Sequence, residues 1–331
     1  MDFICEYGLF LFKIVTVFIC FIIIFLFFSY CAQKKTKTEG ILKITNIIDH
    51  YNNMKHIIIS SKNNKYQKKT WFKKKNTQYL KHKNSNFESL KPTLYIIDFY
   101  GDIHASEVSS LREEISAIIS VSKQHDEVLL RLESAGGTIH EYGLAASQLQ
   151  RLREKNIKLI ISIDKIAASG GYMMACIGNH ISASYFSIIG SIGVVSLIPN
   201  FYKLLKKHNI DIELHTAGDY KRTLTLFGKN TENDRQYFKN KLNNTHDLFK
   251  NFIYKMRPCL NLNEISNGDY WFGITALEKK LIDSISTSDD LILEKIKDFN
   301  IFHIQYIKPK KIFNRFLHYF VKKIKHYLSI K

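Results

Sequence analysis

The hydrophobic pattern begins with a long, mostly apolar run near the N-terminus. The run covers residues 8–30, and between residues 14 and 28 the only polar side chain is Thr16. About 20 apolar residues are enough for a helix to cross the hydrocarbon layer of a membrane. A signal peptide would have a shorter apolar region, a basic start and a small-residue cleavage site, whereas the residues before this run are acidic. The pattern therefore predicts an uncleaved membrane anchor over residues 1–33.

The next segment, residues 34–91, has few positions typical of strands or of a core. Fourteen lysines and only two acidic residues between residues 34 and 83 give it a net charge of +12. Residues 41–59 have some helical spacing, but the composition as a whole predicts a basic linker. A solvated tether is the simpler interpretation of this linker, and binding to anionic lipid headgroups is the functional alternative.

Short apolar runs alternate with amphipathic stretches from residue 92 to residue 307. The predicted strands are 94–101, 128–134, 158–167 and 210–218. The predicted helices are 106–122, 142–156, 169–177, 201–209 and 231–257, the last ending before Pro258. Strands that alternate with helices indicate βαβ units and a mainly parallel sheet, which is the α/β class.

The last segment, residues 308–331, carries eight Lys or Arg residues and no acidic residue. Its apolar residues recur on one helical face, so the pattern predicts a basic amphipathic C-terminal tail. Such a tail suits a membrane interface, and packing on the body of the protein or on a second subunit remains equally open.

Charge and cysteine content exclude several classes of function. The net charge of +18 belongs to the two ends, and residues 84–307 are close to neutral. A nucleic-acid-binding domain would carry its positive charge on the folded surface, so no nucleic-acid partner is expected. The five cysteines include no C-x-x-C pair, so neither a zinc site nor a disulfide framework is indicated. We expect no metal and no cofactor.

Two glycine-rich elements follow predicted strands, 133-ESAGGTIHEYG-143 and 167-AASGGYMMA-175. The carboxyl ends of parallel strands open onto the ligand crevice, so both elements should face the same side of the sheet. An oxyanion hole needs two backbone N–H groups that converge on one oxygen. Gly136 or Gly137 can supply one of them and Gly170 the other.

Ser169 stands at the turn between a predicted strand and a short helix. A serine in such a turn is exposed at the end of the sheet and can act as a nucleophile. Serine is also a favoured N-cap residue, and this motif by itself is more often a cap. The pairing of two glycine-rich elements at successive strand ends is what favours the nucleophile.

A serine nucleophile needs a base, and the histidines are poorly placed for that role. Only His140 and His215 lie near predicted strand ends, and neither has an acidic residue placed to form an Asp-His pair. Lysine is the other option, because burial disfavours the ammonium form and leaves an amine that can accept a proton. Lys221 follows a predicted strand and a glycine turn, which makes it a candidate. Lys165 is a weaker candidate, since it lies inside a predicted strand.

Four motifs together resemble the serine–lysine peptidases of the signal peptide peptidase A family. They are 133-ESAGGTIHEYGLAA-146, 169-SGGYMMA-175, 190-GSIGVV-195 and 219-DYKRTLT-225. The similarity is greatest to a branch of bacterial inner-membrane peptidases and covers nearly the whole chain. It is weakest in the linker and in the last twenty residues.

The resemblance implies a role for each matched residue. Ser169 matches the nucleophile and Lys221 the general base. Ser191 matches a serine that hydrogen-bonds the lysine and helps to keep it neutral. Gly136 matches the oxyanion glycine, and the N–H group of Gly170 is the second donor.

The resemblance also implies a fold, that of the Clp protease and crotonase families, built from repeated ββα units. One position departs from the family pattern. Ala135 stands where the family commonly has proline, so the loop loses rigidity but no catalytic group.

The function implied is a membrane-anchored serine endopeptidase that acts on signal peptide remnants or membrane-associated polypeptides. An acyl-CoA-processing enzyme of crotonase type and an inactive membrane scaffold are the alternatives. The family assembles into rings or domes, so the resemblance implies a homo-oligomer.

The expected location is the bacterial inner membrane, and the side on which the active site lies is open to two interpretations. The family places its catalytic domain outside the cytoplasm. The lysines directly after the apolar run favour the cytoplasm, although a long domain can translocate regardless of flanking charge. We expect a periplasmic domain.

Overall fold

The computed structural model describes residues 2–33, 40–62, 91–218 and 221–308. The chain divides into two units, Met1–Leu42 with Tyr306–Lys331, and Lys43–Gln305. The predicted C-terminal tail lies outside the described residues, apart from residue 308.

The helices of the described residues are numbered in chain order. They are α1 Asp2–Gln33, α2 Ile47–Lys62, α3 Val108–Val121, α4 Ile139–Glu154, α5 Gly170–Ala175, α6 Tyr202–Lys207, α7 Glu232–Met256, α8 Leu262–Ile265, α9 Gly273–Glu278 and α10 Ser288–Lys295. The strands are β1 Ile41–Asn46, β2 Thr93–Gly101, β3 Glu127–Ser134, β4 Lys158–Ile163, β5 Ile166–Ala168, β6 His180–Ala183, β7 Ile188–Gly190, β8 Tyr270–Phe272, β9 Ser284–Ile285 and β10 Asn300–Ile307.

The strands form one sheet with the order β1-β10-β2-β3-β4-β6-β9. The pairs from β10 through β2, β3, β4 and β6 to β9 are parallel. A second branch leaves this path, in which β5 pairs with both β3 and β7, and β7 pairs antiparallel with β8. The mainly parallel sheet with crossover helices confirms the predicted α/β class, and β4, β5 and α5 follow one another as a ββα unit.

The single strand predicted over residues 158–167 is wrong, because the structure contains two strands there. β4 ends at Ile163, and β5 begins at Ile166 on the second branch of the sheet. Asp164 stands at the break, where its carboxylate accepts hydrogen bonds from the backbone N–H and the hydroxyl of Ser288 at 2.8 and 2.6 Å. These bonds hold the chain at the break, and the diverted β5 leads directly to Ser169.

The core lies on both faces of the sheet, since successive strand residues point to opposite faces. The larger cluster includes Ile97 and Phe99 of β2 together with residues of α3, α4, α5 and α7. We call the cluster that contains Leu94 and Ile96 the small cluster. Its buried members are Leu94, Ile96, Leu129, Ile160, Leu291, Ile292 and Ile301.

The strand predicted over residues 210–218 is also wrong. Residues 210–216 have no regular structure, and the side chains that alternate along them are about half exposed, at 49% for Ile210 and 50% for Ile212 and Leu214. An alternating pattern forms a strand only where a neighbouring strand accepts its backbone hydrogen bonds. Among the described residues no strand pairs with this segment.

Two helices in the described part of the chain, α1 and α2, precede residue 91. α1 contains the segment Tyr7–Phe27, which has a mean hydropathy of 3.0 and is long and apolar enough to cross a membrane by length and composition. α2 forms within residues 41–59 of the predicted linker, where the sequence has helical spacing, and extends to Lys62. Its residues Ile47, Ile48 and Tyr51 pack against the small cluster.

Candidate active site

Ser169 lies in a strained turn between β5 and α5. Its φ of 52° is in the left-handed region, which non-glycine residues adopt rarely and usually where the surrounding structure enforces it. The backbone N–H of Ser169 donates to the carbonyl of Gly190 at 2.8 Å. Its side chain makes no capping hydrogen bond to α5, although it occupies the N-cap position. The cap interpretation of this serine therefore loses its main support, and the turn resembles a nucleophile elbow.

The branch of the sheet brings two loops to the sides of Ser169. β5 is parallel to the end of β3, with Ala167 opposite Ser134, and to β7, with Ala168 opposite Gly190. The loop after β3 and the turn after β7 therefore flank the residue that follows β5. The structure places three predicted site residues, Ser169, Gly136 and Gly170, in close contact.

Gly136 is pressed against the turn that carries Ser169. Its φ is +90°, and a Cβ there would lie 2.7 Å from the backbone nitrogen of Gly170, 2.8 Å from the carbonyl oxygen of Ala168 and 2.9 Å from the Cβ of Ser169. Separations below 3.0 Å are not tolerated against backbone atoms, so this position requires glycine for space as well as for conformation. The loop after β3 and the first turn of α5 are thus in van der Waals contact.

A buried hydrogen-bond network supports the loop after β3. The Ser134 hydroxyl accepts a hydrogen bond from the N–H of Gly136 at 3.0 Å and shares one with the Tyr142 hydroxyl at 2.5 Å. Tyr142 also donates to the carbonyl of Asp102 at 2.7 Å, and burial raises the pKa of its phenol. The Tyr142 ring lies where a Cβ on Gly170 would be, 2.5 Å from its Cγ. Ser134 and Tyr142 therefore fix both glycine elements relative to each other.

Ser191 lies beside the turn between β5 and α5 that carries Ser169, on the side opposite Gly136. It follows Gly190, which accepts the hydrogen bond from Ser169, and it too has a left-handed backbone with φ 49°. Its N–H donates to the carbonyl of Asp269 at 2.6 Å. The Trp271 ring packs against Gly190, where a Cβ would lie 2.7 Å from the ring. β8 and the residue before it thus hold the backbone of Gly190 and Ser191 in place beside Ser169.

Lys221 is not brought to Ser169 in this structure. Its side chain is exposed, and its backbone N–H donates to the carbonyl of Gly218 at 3.1 Å. Among the described residues, no contact joins its amine to Ser169 or to Ser191. Lys221 belongs to residues 191–231, whose described part contains only the short helix α6 as regular structure.

The other basic candidates are placed unfavourably for proton transfer. Lys165 pairs with Glu133 at 3.0 Å, and the hydrogen bond and charge of that carboxylate raise the pKa of the lysine. A raised pKa keeps the amine protonated and unable to accept a proton. The side chains of His140 and His215 are 80% and 88% exposed, each next to a glutamate.

The sequence did not reveal the residues that support the site. Tyr142 lies within the first glycine-rich motif, but the sequence pattern around it indicates only that it lies on one face of a helix. Asp269 and Trp271 follow Ser169 by about a hundred positions. His246 of α7 also reaches the site, with Nε2 3.2 Å from the carbonyl of Ile192. No local pattern reports contacts of this kind. Within the described ranges, no group of three or more His, Cys, Asp or Glu residues is placed to hold a metal ion.

Comparison with known proteins gives matches over most of the chain. The N-terminal region of peptidase family S49 matches residues 2–149, and peptidase family S49 itself matches residues 151–301. A relative in Buchnera aphidicola subsp. Schlechtendalia chinensis, named "Probable protease SohB", is 56% identical over 305 residues, which is 89% of this chain and 100% of the relative. A relative of the same name in Haemophilus influenzae is 45% identical over 326 residues, 95% of this chain and 92% of the relative.

One solved structure is a more distant likeness. It is a point mutant of the "1510-N membrane-bound stomatin-specific protease", with 12% identity and a TM-score of 0.44, and the match covers 66% of this chain and 99% of that one. The family assignment depends instead on the two close relatives, which match nearly all of this chain. On their identity and coverage, the chain belongs to peptidase family S49, together with the SohB proteases, and is a peptidase.

Proposed function

We propose that the protein is a membrane-anchored serine endopeptidase in which Ser169 is the nucleophile and Lys221 the general base. The observation that carries this proposal is the strained turn at Ser169, flanked by Gly136 on one side and Ser191 on the other. The Ser169 hydroxyl makes no capping bond, and the two residues that follow it in the chain, Gly170 and Gly171, are glycines. That arrangement leaves room for a peptide carbonyl to approach Oγ.

In the proposed reaction, Oγ of Ser169 attacks the carbonyl carbon of the scissile bond while the neutral amine of Lys221 takes its proton. The tetrahedral intermediate collapses, the C–N bond breaks, and the lysine returns the proton to the leaving amine. Water then attacks the acyl-enzyme with the same lysine as base, and Ser169 is regenerated. Ser191 is proposed to hydrogen-bond the lysine amine and to favour its neutral form.

The oxyanion of the intermediate is proposed to bind backbone N–H groups. Gly170 supplies one donor, since the first N–H groups of a helix have no partner within the helix. The loop after β3 supplies the other. The N–H of Gly136 donates to Ser134 in the present structure, so Gly136 can serve only by exchanging or sharing that bond. The adjacent N–H of Gly137 is the second candidate for this role.

Lys221 must approach Ser169 for this chemistry. Either residues 191–231 close over the site of their own chain, or a second copy of the chain supplies the lysine. We propose a homo-oligomer because this segment leaves large apolar side chains almost fully exposed, with Val195 at 92% and Leu197 at 93%. Mixed assemblies of Ser169→Ala and Lys221→Ala subunits separate the two routes, since activity returns only if the residues act across a subunit boundary.

The proposed location is the bacterial inner membrane, with residues 1–33 as the anchor, residues 34–91 as the linker to the peptidase domain at 92–307, and residues 308–331 as a basic tail. The length and hydropathy of Tyr7–Phe27 support the anchor. Signal peptide remnants and membrane-associated polypeptides are the proposed substrates, because an anchored site meets substrates at the membrane. We propose a periplasmic active site, against the lysines that follow the anchor.

Labelling with a fluorophosphonate probe tests the proposal, because the probe reacts with activated serines. The full chain in detergent should label at Ser169, and Ser169→Ala should abolish the signal. Lys221→Ala should slow labelling at least about 100-fold, since a serine without its base is a weak nucleophile. Lys165→Ala is the matched control and should label at the wild-type rate.

Two outcomes would contradict the assignment. Normal labelling of Lys221→Ala would leave Ser169 as nucleophile but would remove Lys221 as base. Absence of labelling in a folded wild-type protein would favour the inactive scaffold. Membership of the peptidase family already favours proteolysis over acyl-CoA chemistry.

A further inference from the structure

α2 has an apolar stripe that is covered over only half of its length. Ile47, Tyr51, Met54 and Ile58 are spaced by four, three and four residues, so they share one helical face. Ile47 and Tyr51 pack against the small cluster. Farther along the helix, Met54 is 40% exposed, Ile57 68% and Ile58 56%. The C-terminal half of α2 therefore presents a bare apolar surface made of Met54, Ile57 and Ile58.

We propose that this surface lies in the headgroup region of an anionic membrane. The inference rests on the membrane anchoring proposed above. α1 ends at Gln33 and α2 begins at Ile47, so even a fully extended connection is limited to about 3.3–3.6 Å per residue. Part of that connection is the strand β1. The tether keeps α2 within reach of the membrane surface that the anchor enters.

Charge complementarity favours lipid over a second copy of the chain as the occupant. The net charge of +12 in residues 34–83 lies on both sides of α2 in the sequence. Basic segments next to an anchor are attracted to anionic lipid by about 1 kcal/mol per Lys or Arg near the surface. Two copies that met at this surface would bring these like charges together. An apolar face with basic flanks is the pattern of an interfacial helix.

A lipid-quenching measurement on the full chain tests the proposal. An environment-sensitive fluorophore is attached at Ile58→Cys, and in a matched control at Asn52→Cys, in a background that keeps only the buried Cys176. Asn52 is exposed and lies on the opposite side of α2. Each protein is placed in nanodiscs of phosphatidylglycerol or phosphatidylcholine that contain lipid with a quencher on its acyl chain. Met54→Cys provides a second position on the apolar surface if Ile58→Cys fails to fold.

In phosphatidylglycerol, quenching at position 58 should exceed that at position 52 by at least about threefold, because an interfacial helix buries its apolar face about 5–10 Å into the boundary. The difference should shrink in phosphatidylcholine. Equal and low quenching at both positions would overturn the inference. A blue-shifted fluorophore at position 58 that is not quenched by lipid, and whose blue shift appears only in discs with two chains, would also overturn the inference. That result identifies a second copy of the chain as the occupant.

The possible outcomes distinguish a failure of the proposed membrane anchor from a failure of the proposed membrane contact of α2. A chain that does not enter nanodiscs contradicts the anchor itself. A chain that enters and labels with the fluorophosphonate, but shows no quenching at position 58, contradicts only the membrane contact of α2.

Discussion

Three residues of the candidate site, Gly136, Ser169 and Ser191, have backbone angles that few side chains tolerate. Gly136 has no side chain, so its φ of +90° costs nothing, whereas the two serines are held in the left-handed region by neighbouring strands. Each such serine costs about 1–3 kcal/mol, which a fold retains only where packing enforces it. The cluster of unusual backbone angles at one place is therefore a physical marker of the site.

Substitution of Gly136 tests the close contact between the two glycine elements. In Gly136→Ala the new methyl group would overlap the backbone of Gly170 and Ala168, so the nucleophile turn must shift. We expect the rate of fluorophosphonate labelling to fall at least about 100-fold, because displacements of about 1 Å have effects of that size. Gly143→Ala is the control, since nothing lies within 4 Å of its added Cβ, and it should stabilise α4 by about 0.5–1 kcal/mol. Wild-type labelling by Gly136→Ala would contradict the proposed geometry.

The Tyr142 hydroxyl gives a second prediction at this scale. Tyr142→Phe removes the hydrogen bonds to Ser134 and to the carbonyl of Asp102 in a buried setting. We expect the free energy of unfolding to fall by about 1–3 kcal/mol, because the partners are left unsatisfied. The labelling rate should fall too, since Ser134 holds Gly136. Urea denaturation and labelling measure the two effects, and a stability loss without any change in rate would limit Tyr142 to a structural role.

At the scale of elements, local patterns predicted the longer helices and the central strands, whereas the elements after residue 178 other than α6 and α7 were not predicted. The helix predicted over residues 231–257 is α7, Glu232–Met256, and Thr231 begins it with a capping box closed by Asp234. The predicted strands at 94–101 and 128–134 correspond to β2 and β3. The two strand predictions that are wrong, at 158–167 and 210–218, depend on which strands pair with each other. β4 and β5 are one apolar run in the sequence, and only the partners of β5 show that the chain changes branch.

The ion pair between β2 and β3 predicts a dependence of stability on pH. Asp98 is opposite Arg131 in the register and accepts its two N–H groups at 2.6 and 2.8 Å, and His303 of β10 lies 3.1 Å away. Burial alone would raise the pKa of Asp98, but the adjacent His303 and the hydrogen bonds and charge of Arg131 hold it below its usual value. The ionised form therefore stabilises the fold above the unfolded-state pKa of about 3.9, and this contribution is lost as the pH falls through the lower folded-state pKa.

Substitution of Asp98 should change this profile. Asp98→Asn should lower the free energy of unfolding at pH 7 by about 1–3 kcal/mol, because Arg131 loses its charged partner. Between about pH 5 and pH 3 the variant should lose less stability than the wild type, because it has no carboxylate to protonate at this position. Urea denaturation at each pH measures both. Glu232→Gln, in an exposed pair with Arg235, is the control and should change little. Parallel profiles for wild type and Asp98→Asn would contradict the assignment.

At the scale of the whole molecule, the described part of residues 191–231 has little regular structure and exposes several large apolar side chains. It carries Lys221 away from Ser169 and leaves an alternating apolar pattern at residues 210–214 without a strand partner. Exposed apolar surface of this kind marks an interaction site in a protein of otherwise ordinary composition. If the proposed homo-oligomer forms, we expect this segment to pack at its interface and to bring Lys221, the proposed base, to Ser169.

Leu197→Asp tests this expectation. Leu197 is 93% exposed, so a charge there should not disturb the folded single chain, but it should weaken a subunit interface. We expect a shift to smaller species in analytical ultracentrifugation in detergent, with an unchanged Tm and a labelling rate at least about tenfold lower. Asp211→Asn, an exposed change in the same segment, serves as the control. A wild-type sedimentation profile for Leu197→Asp would remove this residue from the interface.

The sequence by itself determined the apolar N-terminal helix, the α/β class and the two glycine elements with Ser169, because each depends on local periodicity or on a short motif. It also supplied the resemblance that pointed to Lys221 and Ser191. Only the tertiary structure decided that β5 leaves β4 to join β3 and β7, which brings Gly136 against Ser169. It also decided that Ser134, Tyr142, Asp269 and Trp271 support the site. These contacts join residues far apart along the chain, and strand pairing and close packing, which create them, leave no periodic trace in the sequence.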